Sequence, residues 1–134
     1  MIVLDASAAI ELLLATDAGE AVARRITDPS EVLHAPHLLS AEVAQVLRRY
    51  EASGVITAEE GVAALDDLVA LDIEKHDHDD LLGRVWDLRP NLTSYDALYV
   101  ALAEILDAPL LTFDTKIASA PNHSAIVELV PARR

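Results

Sequence analysis

At 134 residues the chain is the size of one domain, spanning 1–134, and can bury roughly two-thirds of its unfolded surface around a single core. It has no cysteine, which excludes disulfides, zinc ribbons and thiol catalysis and leaves oxygen and imidazole to hold any metal. Twenty-three acidic residues against 10 basic ones give a formal net charge of −13; this opposes indiscriminate nucleic-acid binding and fits either a solvated acidic surface or a cationic partner or metal.

Residues 2–4, Ile-Val-Leu, form a short apolar run ended by Asp5, as expected of a strand buried on both faces. The surrounding stretch MIVLDASAAIELLLA has no basic leader and is interrupted by Asp5 and Glu11, so it reads as mature structure rather than a signal peptide. A helix is expected from Ser7 to Leu14, and a second from a Thr16 or Asp17 cap to about Ile26, stopped by Asp28-Pro29. EVLHA, residues 31–35, reads as the next strand.

Leu38, Leu39, Val43, Val46 and Leu47 recur at helical spacing between His37 and Tyr50, with Gly54 as the C-terminal stop. Thr57-Ala58-Glu59-Glu60 is a capping box opening a second helix with a stripe of Val62, Leu65, Leu68 and Val69. The two should form a hairpin standing proud of the sheet. ALDIEKH reads as a weak strand, DDLLGRVWDL as a helix closed by Pro90, residues 93–106 as a helix, and 109–112 and 126–130 as strands. Alternating strands and helices predict a parallel sheet covered by helices. No apolar run approaches the ~20 residues that cross a bilayer, so the expectation is a soluble, cytoplasmic protein with no membrane partner.

Four acids stand out against this pattern. Asp5 and Asp114 follow the strands IVL and LLTF, where open α/β sheets bind ligands. Asp96 shares a helix face with Leu92, Tyr99, Val100 and Ala103, and Glu42 shares one with Leu38, Leu39 and Val46. Taken singly, each is explained by capping or solvent exposure; Asp96, three residues after Thr93, suits a helix N-terminus. Taken together, all four fall near the same predicted end of the sheet, where they are expected to meet. Two carboxylates ~4 Å apart repel by about 4 kcal/mol at an effective dielectric near 20, a conflict resolved by proton uptake or by a divalent cation. Hard oxygen donors point to Mg²⁺ or Mn²⁺, and such a site suits phosphoryl chemistry, in which the ion activates water and stabilises charge on the phosphate.

The segments MIVLDASAAIELLL, HAPHLLSAEVAQVLRRYEASGVITAEE, TSYDALYVALAE and APLLTFDTKIA, in order along nearly the full chain, resemble the signature segments of PIN-domain ribonucleases of the VapC toxin type. The resemblance implies a three-layer α/β/α domain with a central, mostly parallel sheet, and a Mg²⁺- or Mn²⁺-dependent endoribonuclease that hydrolyses phosphodiester bonds by metal-activated water, leaving 5′-phosphate and 3′-hydroxyl ends. Carried over by position, Asp5 and Asp96 match the principal metal ligands and Glu42 and Asp114 the other acids. Ser7, Thr93 and Thr112 match hydroxyl residues that support them. It also implies a VapB-type antitoxin partner and a homodimer.

Nothing outside this set identifies the RNA. Arg48 and Arg49, on the helix of Glu42, are the first candidates for phosphate contact, although solvated helix residues explain them equally well. Arg24-Arg25 and Arg133-Arg134 are the other basic pairs. The acidic total favours a structured target, such as tRNA or rRNA, over indiscriminate degradation. His76 and His78 could hold a transition metal if EKHDHDD is extended, and His34, His37 and His123 could support metal-free acid–base cleavage. A phosphoacceptor signalling domain would need a second acid beside Asp5, where Ala6 stands. A catalytically silent acidic domain that docks a basic peptide is the remaining alternative.

Overall fold

A computed structural model describes residues 1–131; Arg133-Arg134 lie outside the described residues. The strands are β1 (Ile2–Leu4), β2 (Leu33–Pro36), β3 (Ile73–His76), β4 (Leu110–Thr112) and β5 (Val127–Leu129). The helices are α1 (Ala6–Leu13), α2 (Asp17–Arg25), α3 (Leu38–Ala52), α4 (Ala58–Ala70), α5 (Leu82–Asp87), α6 (Ser94–Leu106) and α7 (Thr115–Ser119), with a 3₁₀ turn at Asp79–Leu81 leading into α5. Among the described residues no helix is long and apolar enough to cross a membrane.

All strand pairs are parallel, in the order β3-β2-β1-β4-β5. The chain moves outward from β1 through β2 to β3, then returns to add β4 on the other side of β1. Strand order therefore reverses between β1 and β4, which is where such sheets open a crevice at their carboxyl ends. The central strands β1, β2 and β4 are buried throughout, and α6 contributes an unbroken buried run from Ala97 to Ala103. That continuity explains the apolar face around Asp96: Leu92, Tyr99, Val100 and Ala103 are all core residues.

Local chemistry sets the helix ends as the sequence indicates. Thr16 caps α2 by accepting from the Gly19 amide, Thr57 and Glu60 form both halves of a capping box, and Gly54, at φ 78°, takes the left-handed conformation just past α3. Gly19 has a further, steric reason. A Cβ there would lie 2.1 Å from the Glu11 carbonyl oxygen, because α2 begins directly against the end of α1. Gly19→Ala should therefore destabilise the fold by about 1–3 kcal/mol, measured as a lower urea midpoint with an unchanged slope.

Several sequence expectations are corrected. β2 runs from 33 to 36 rather than 31 to 35, and α3 starts at Leu38, which places Glu42 in its second turn. No side-chain cap marks that start, since His37 has helical backbone angles and makes no cap bond. Of the expected α4 stripe only Leu68 is buried: Val62 is 60%, Leu65 37% and Val69 81% exposed, and the buried neighbour of Leu68 is Ala64. Helix α7 was not anticipated from the sequence.

Candidate active site

Asp5 ends β1 and simultaneously caps α1, its Oδ1 accepting from the Ala8 amide at 3.0 Å. It is only 5% exposed, and a dense set of donors offsets part of the cost of burying a carboxylate there. Ser7 Oγ donates to Oδ1 at 2.7 Å, and the Thr112 hydroxyl, at the end of β4, donates to Oδ2. Thr112 is fully buried and its Oγ1 also accepts from the Asp114 amide at 2.9 Å, while Ser7 Oγ accepts from the Phe113 amide at 3.0 Å. Two hydroxyls thus tie the carboxyl ends of β1 and β4 together around one acid.

Asp96 sits in the first turn of α6, where Thr93 Oγ1 accepts from its amide at 3.1 Å. Its side chain is half-buried, and its carboxyl titrates above the ordinary range, first because of burial and then because of the Asp114 charge, opposed by Thr93 and Lys116. Glu42 is also half-buried and raised, chiefly by burial, with the charges of Asp96 and Asp5 adding. Burial raises Asp5 too, against its three hydrogen bonds, and Asp96 adds to it. The charges of Asp5, Glu42, Asp96 and Asp114 thus reach one another at the carboxyl edge of the sheet, by the β1/β4 switch point. Asp114 caps α7 through a 2.8 Å bond accepted from the Lys116 amide.

The arrangement is open rather than a closed cage. Among the described residues, the group whose metal-ligating atoms all approach within 4.8 Å of one another is elsewhere, at His34, Glu74 and His76. Carboxylates spread around a crevice suit Mg²⁺, which dehydrates reluctantly and takes one or two protein carboxylates alongside waters and substrate phosphate.

Sequence reasoning missed Tyr99 as a polar member of this site. Its hydroxyl donates to Glu42 Oε1 at 2.5 Å, and burial followed by that bond pushes the phenol far above its usual pKa, so it remains a donor. It lies one helical turn after Asp96; that i, i+3 spacing was the available signal. The two arginines separate. Arg49 lines an open concavity of about 300 Å³ with Glu42, Gln45 and Tyr95, whereas Arg48 faces the groove between α3 and α4 beside Glu51. Arg25 is engaged by Glu128 at 2.7 and 2.9 Å.

His34, His37 and His123 each meet a partner outside that trio, His34 Nδ1 facing His76 Nε2 at 2.9 Å. His37 meets Asp77 at 3.2 Å, His78 Nε2 accepts from the Leu38 amide at 3.1 Å, and His123 Nδ1 accepts from the Ala125 amide at 3.2 Å. The strand ends at His76, so EKHDHDD is not extended through His78; His76 faces His34, and His78 faces the Leu38 amide.

Comparison with known proteins agrees with this architecture. Residues 2–122 match the PIN domain. Ribonuclease VapC1 of Mycobacterium tuberculosis is 44% identical over 129 residues, 96% of either chain. Ribonuclease VapC12 of the same organism is 41% identical over 130 residues, 97% of this chain and 99% of that one. The fold is shared with crystal structures of M. tuberculosis VapC20, described as a sarcin-ricin loop cleaving toxin (TM-score 0.67, 19% identity, 89% of this chain and 94% of the other). It is shared also with VapBC2 from Rickettsia felis bound to a promoter DNA fragment (TM-score 0.71, 17% identity, 96% and 98%). With a domain match over most of its length and relatives above 40% identity along nearly all of it, the chain belongs to the PIN-domain family, as a ribonuclease of the VapC toxin type.

Proposed function

We propose that Asp5, Glu42, Asp96 and Asp114 hold Mg²⁺, or Mn²⁺ in its place, and that this crevice hydrolyses phosphodiester bonds in a structured RNA such as tRNA or rRNA. The observation that carries the assignment is that Asp5 is buried and Glu42 and Asp96 are half-buried near the switch point of the sheet, where burial raises all three carboxyls and the charge of a neighbouring acid adds to each. A divalent cation, when bound, supplies the charge that keeps the acids ionised, activates water for in-line attack and stabilises charge on the phosphate.

The chain's own residues do the rest. Ser7 and Thr112 fix both oxygens of Asp5, so its orientation is set before any ligand arrives. Tyr99 holds Glu42 from inside α6 and keeps that carboxylate turned toward the crevice. Thr93 orders the first turn that presents Asp96. Arg49, exposed beside Glu42, is placed to meet a substrate phosphate, and Arg48 is the weaker candidate because it faces another groove. Even two bound Mg²⁺ would leave the molecule strongly negative, so RNA binding depends on such local contacts and favours a shaped target.

The partners follow from the family. A VapB-type antitoxin is the expected inhibitor in the cytoplasm, and the uncovered side of α4 at Val62 and Val69 gives it or a second copy of the chain an apolar surface. Incubation of purified protein with tRNA and rRNA fragments should give discrete cuts in Mg²⁺ or Mn²⁺ and none in EDTA. Undiminished cleavage in EDTA would overturn the metal assignment, and an inert protein in both would favour a silent, peptide-docking domain.

A further inference from the structure

A second cluster of ligating side chains lies away from the acid crevice, on the edge of the sheet. In the β2–β3 ladder His34 pairs with Glu74 and Pro36 with His76. Residues 74 and 76 are two apart on one strand, so the register puts both on the same face as His34. The result is two imidazoles and a carboxylate whose ligating atoms all lie within 4.8 Å of one another. His34 Nδ1 is 2.9 Å from His76 Nε2 and 3.9 Å from Glu74 Oε2.

We propose that His34, Glu74 and His76 form a binding site for a zinc-class transition-metal ion that clamps the edge strand β3 to β2. Two imidazole nitrogens bound to one ion at ordinary zinc distances stand roughly 3.0–3.4 Å apart, so the observed pair needs to open by only a few tenths of an ångström. Glu74 is an exposed, adaptable side chain on the edge strand and closes the remaining gap. The donor set differs in kind from the all-oxygen crevice: imidazole with carboxylate suits zinc, nickel or cobalt and not magnesium. Entry is open from the edge, through the partly exposed His76 and Glu74, while His34 is only 5% exposed and anchors the site from within.

Burial lowers the pKa of the His34 ring and so favours the neutral form, the one that ligates. Its far nitrogen, Nε2, is buried without a hydrogen-bond partner. A metal on Nδ1 leaves that N–H unpaired, so the site lacks the outer support usual for a metal-bound histidine and binds with moderate rather than structural-zinc affinity. That suits a site which fills and empties with metal supply. Its position gives it reach: the His37 amide donates to the His76 carbonyl at 2.9 Å, and the Leu38 amide donates to His78 at 3.1 Å. Residues 76–78 thus seat the start of α3, the helix that carries Glu42, and a metal at His76 would stiffen that seat.

The test is Zn²⁺ titration of the untagged protein by calorimetry, with thermal melts at each metal ratio. One Zn²⁺ per chain should bind and raise the melting temperature in the parent and in Asp96→Asn. In His76→Asn that event should weaken more than ~100-fold, beyond what loss of an outer-shell partner brings, with the melting temperature no longer responding. Glu74→Gln, on an exposed position, should weaken it less and serves where His76→Asn melts non-cooperatively in EDTA. An unaltered Zn²⁺ isotherm in both histidine and glutamate variants, or no binding by the parent, would overturn the proposal and leave the pair as a hydrogen bond between two rings.

Discussion

Asp96→Asn should lower RNA cleavage by at least ~10²–10³-fold, the scale on which active sites lose activity when one electrostatic contact is removed, while the protein in EDTA stays no less stable at neutral pH. The two halves of this expectation separate the roles that Asp96 could play. As a capping acid it would be an asset to the isolated fold, worth a few tenths to 1 kcal/mol through the helix dipole. As a member of the crevice it is a liability without a cation, since burial and the Asp114 charge both disfavour its ionised form. Asparagine keeps the size and the Thr93 cap on the backbone amide, and deletes only the charge.

The pH dependence carries the same sign. Asp5, Glu42 and Asp96 are raised in the fold, each mainly by burial. A raised acid contributes stability that is fully present below its unfolded value, near 4, and is lost as pH rises through its folded value. Glu104 does the reverse: Arg84, bonded to it at 2.8 and 3.0 Å, brings it down to about 2, so its contribution is present above about 4.5 and disappears as pH falls toward 2. In EDTA the crevice acids should therefore make stability decline from about pH 4 toward neutrality, and Mg²⁺ should flatten that decline. Asp96→Asn should flatten it without metal. Melting temperatures across this range decide the matter; a marked loss of stability in the variant at pH 7 would assign Asp96 to capping.

The sequence made some parts of this molecule plain because their determinants are local. The capping box at Thr57–Glu60, the turn at Gly54 and the apolar wall around Asp96 each depend on residues within a few positions of one another, and all appear in the structure. Strand ends are similarly local, so Asp5 and Asp114 could be placed at the carboxyl edge from the runs before them. What stayed hidden depends on register and on neighbours. His34 and His76 are 42 positions apart and meet only because β2 and β3 pair at one specific offset. The bond from Tyr99 to Glu42 spans 57 positions, and an apolar-face reading of α6 counts Tyr99 as wall before it sees a donor. Periodicity found the helix α4 but not its buried face: of its apolar stripe only Leu68 is covered, and Val62, Leu65 and Val69 are exposed. Helix α7 is five residues long, too short to show a period, and its start is marked only by Asp114.

Thr112→Val should cost about 2–4 kcal/mol of stability, because the buried Asp5 carboxyl and the partly buried Asp114 amide lose a hydrogen bond at once, and an orphaned buried polar group costs about 1–3 kcal/mol, more when charged. Valine matches threonine in shape, so packing is preserved and the loss is purely polar. The carboxylate of Asp5 would keep Ser7 and the Ala8 amide but lose its donor on Oδ2, and the Asp114 amide would lose its acceptor. With that lowering influence gone, the Asp5 carboxyl moves further up, and proton uptake caps the penalty at the price of the charge a cation would use. Stability and metal affinity should then fall together, whereas Asp96→Asn loses only the second. Thr112→Ser is the control: it restores the hydroxyl and gives up one methyl, about 1 kcal/mol, so it should recover most of the urea midpoint and the Mg²⁺ dependence of melting. If Thr112→Val melted like the parent, Asp5 would owe its place to Ser7 and the α1 cap alone, and the tie between β1 and β4 through Thr112 would carry no weight.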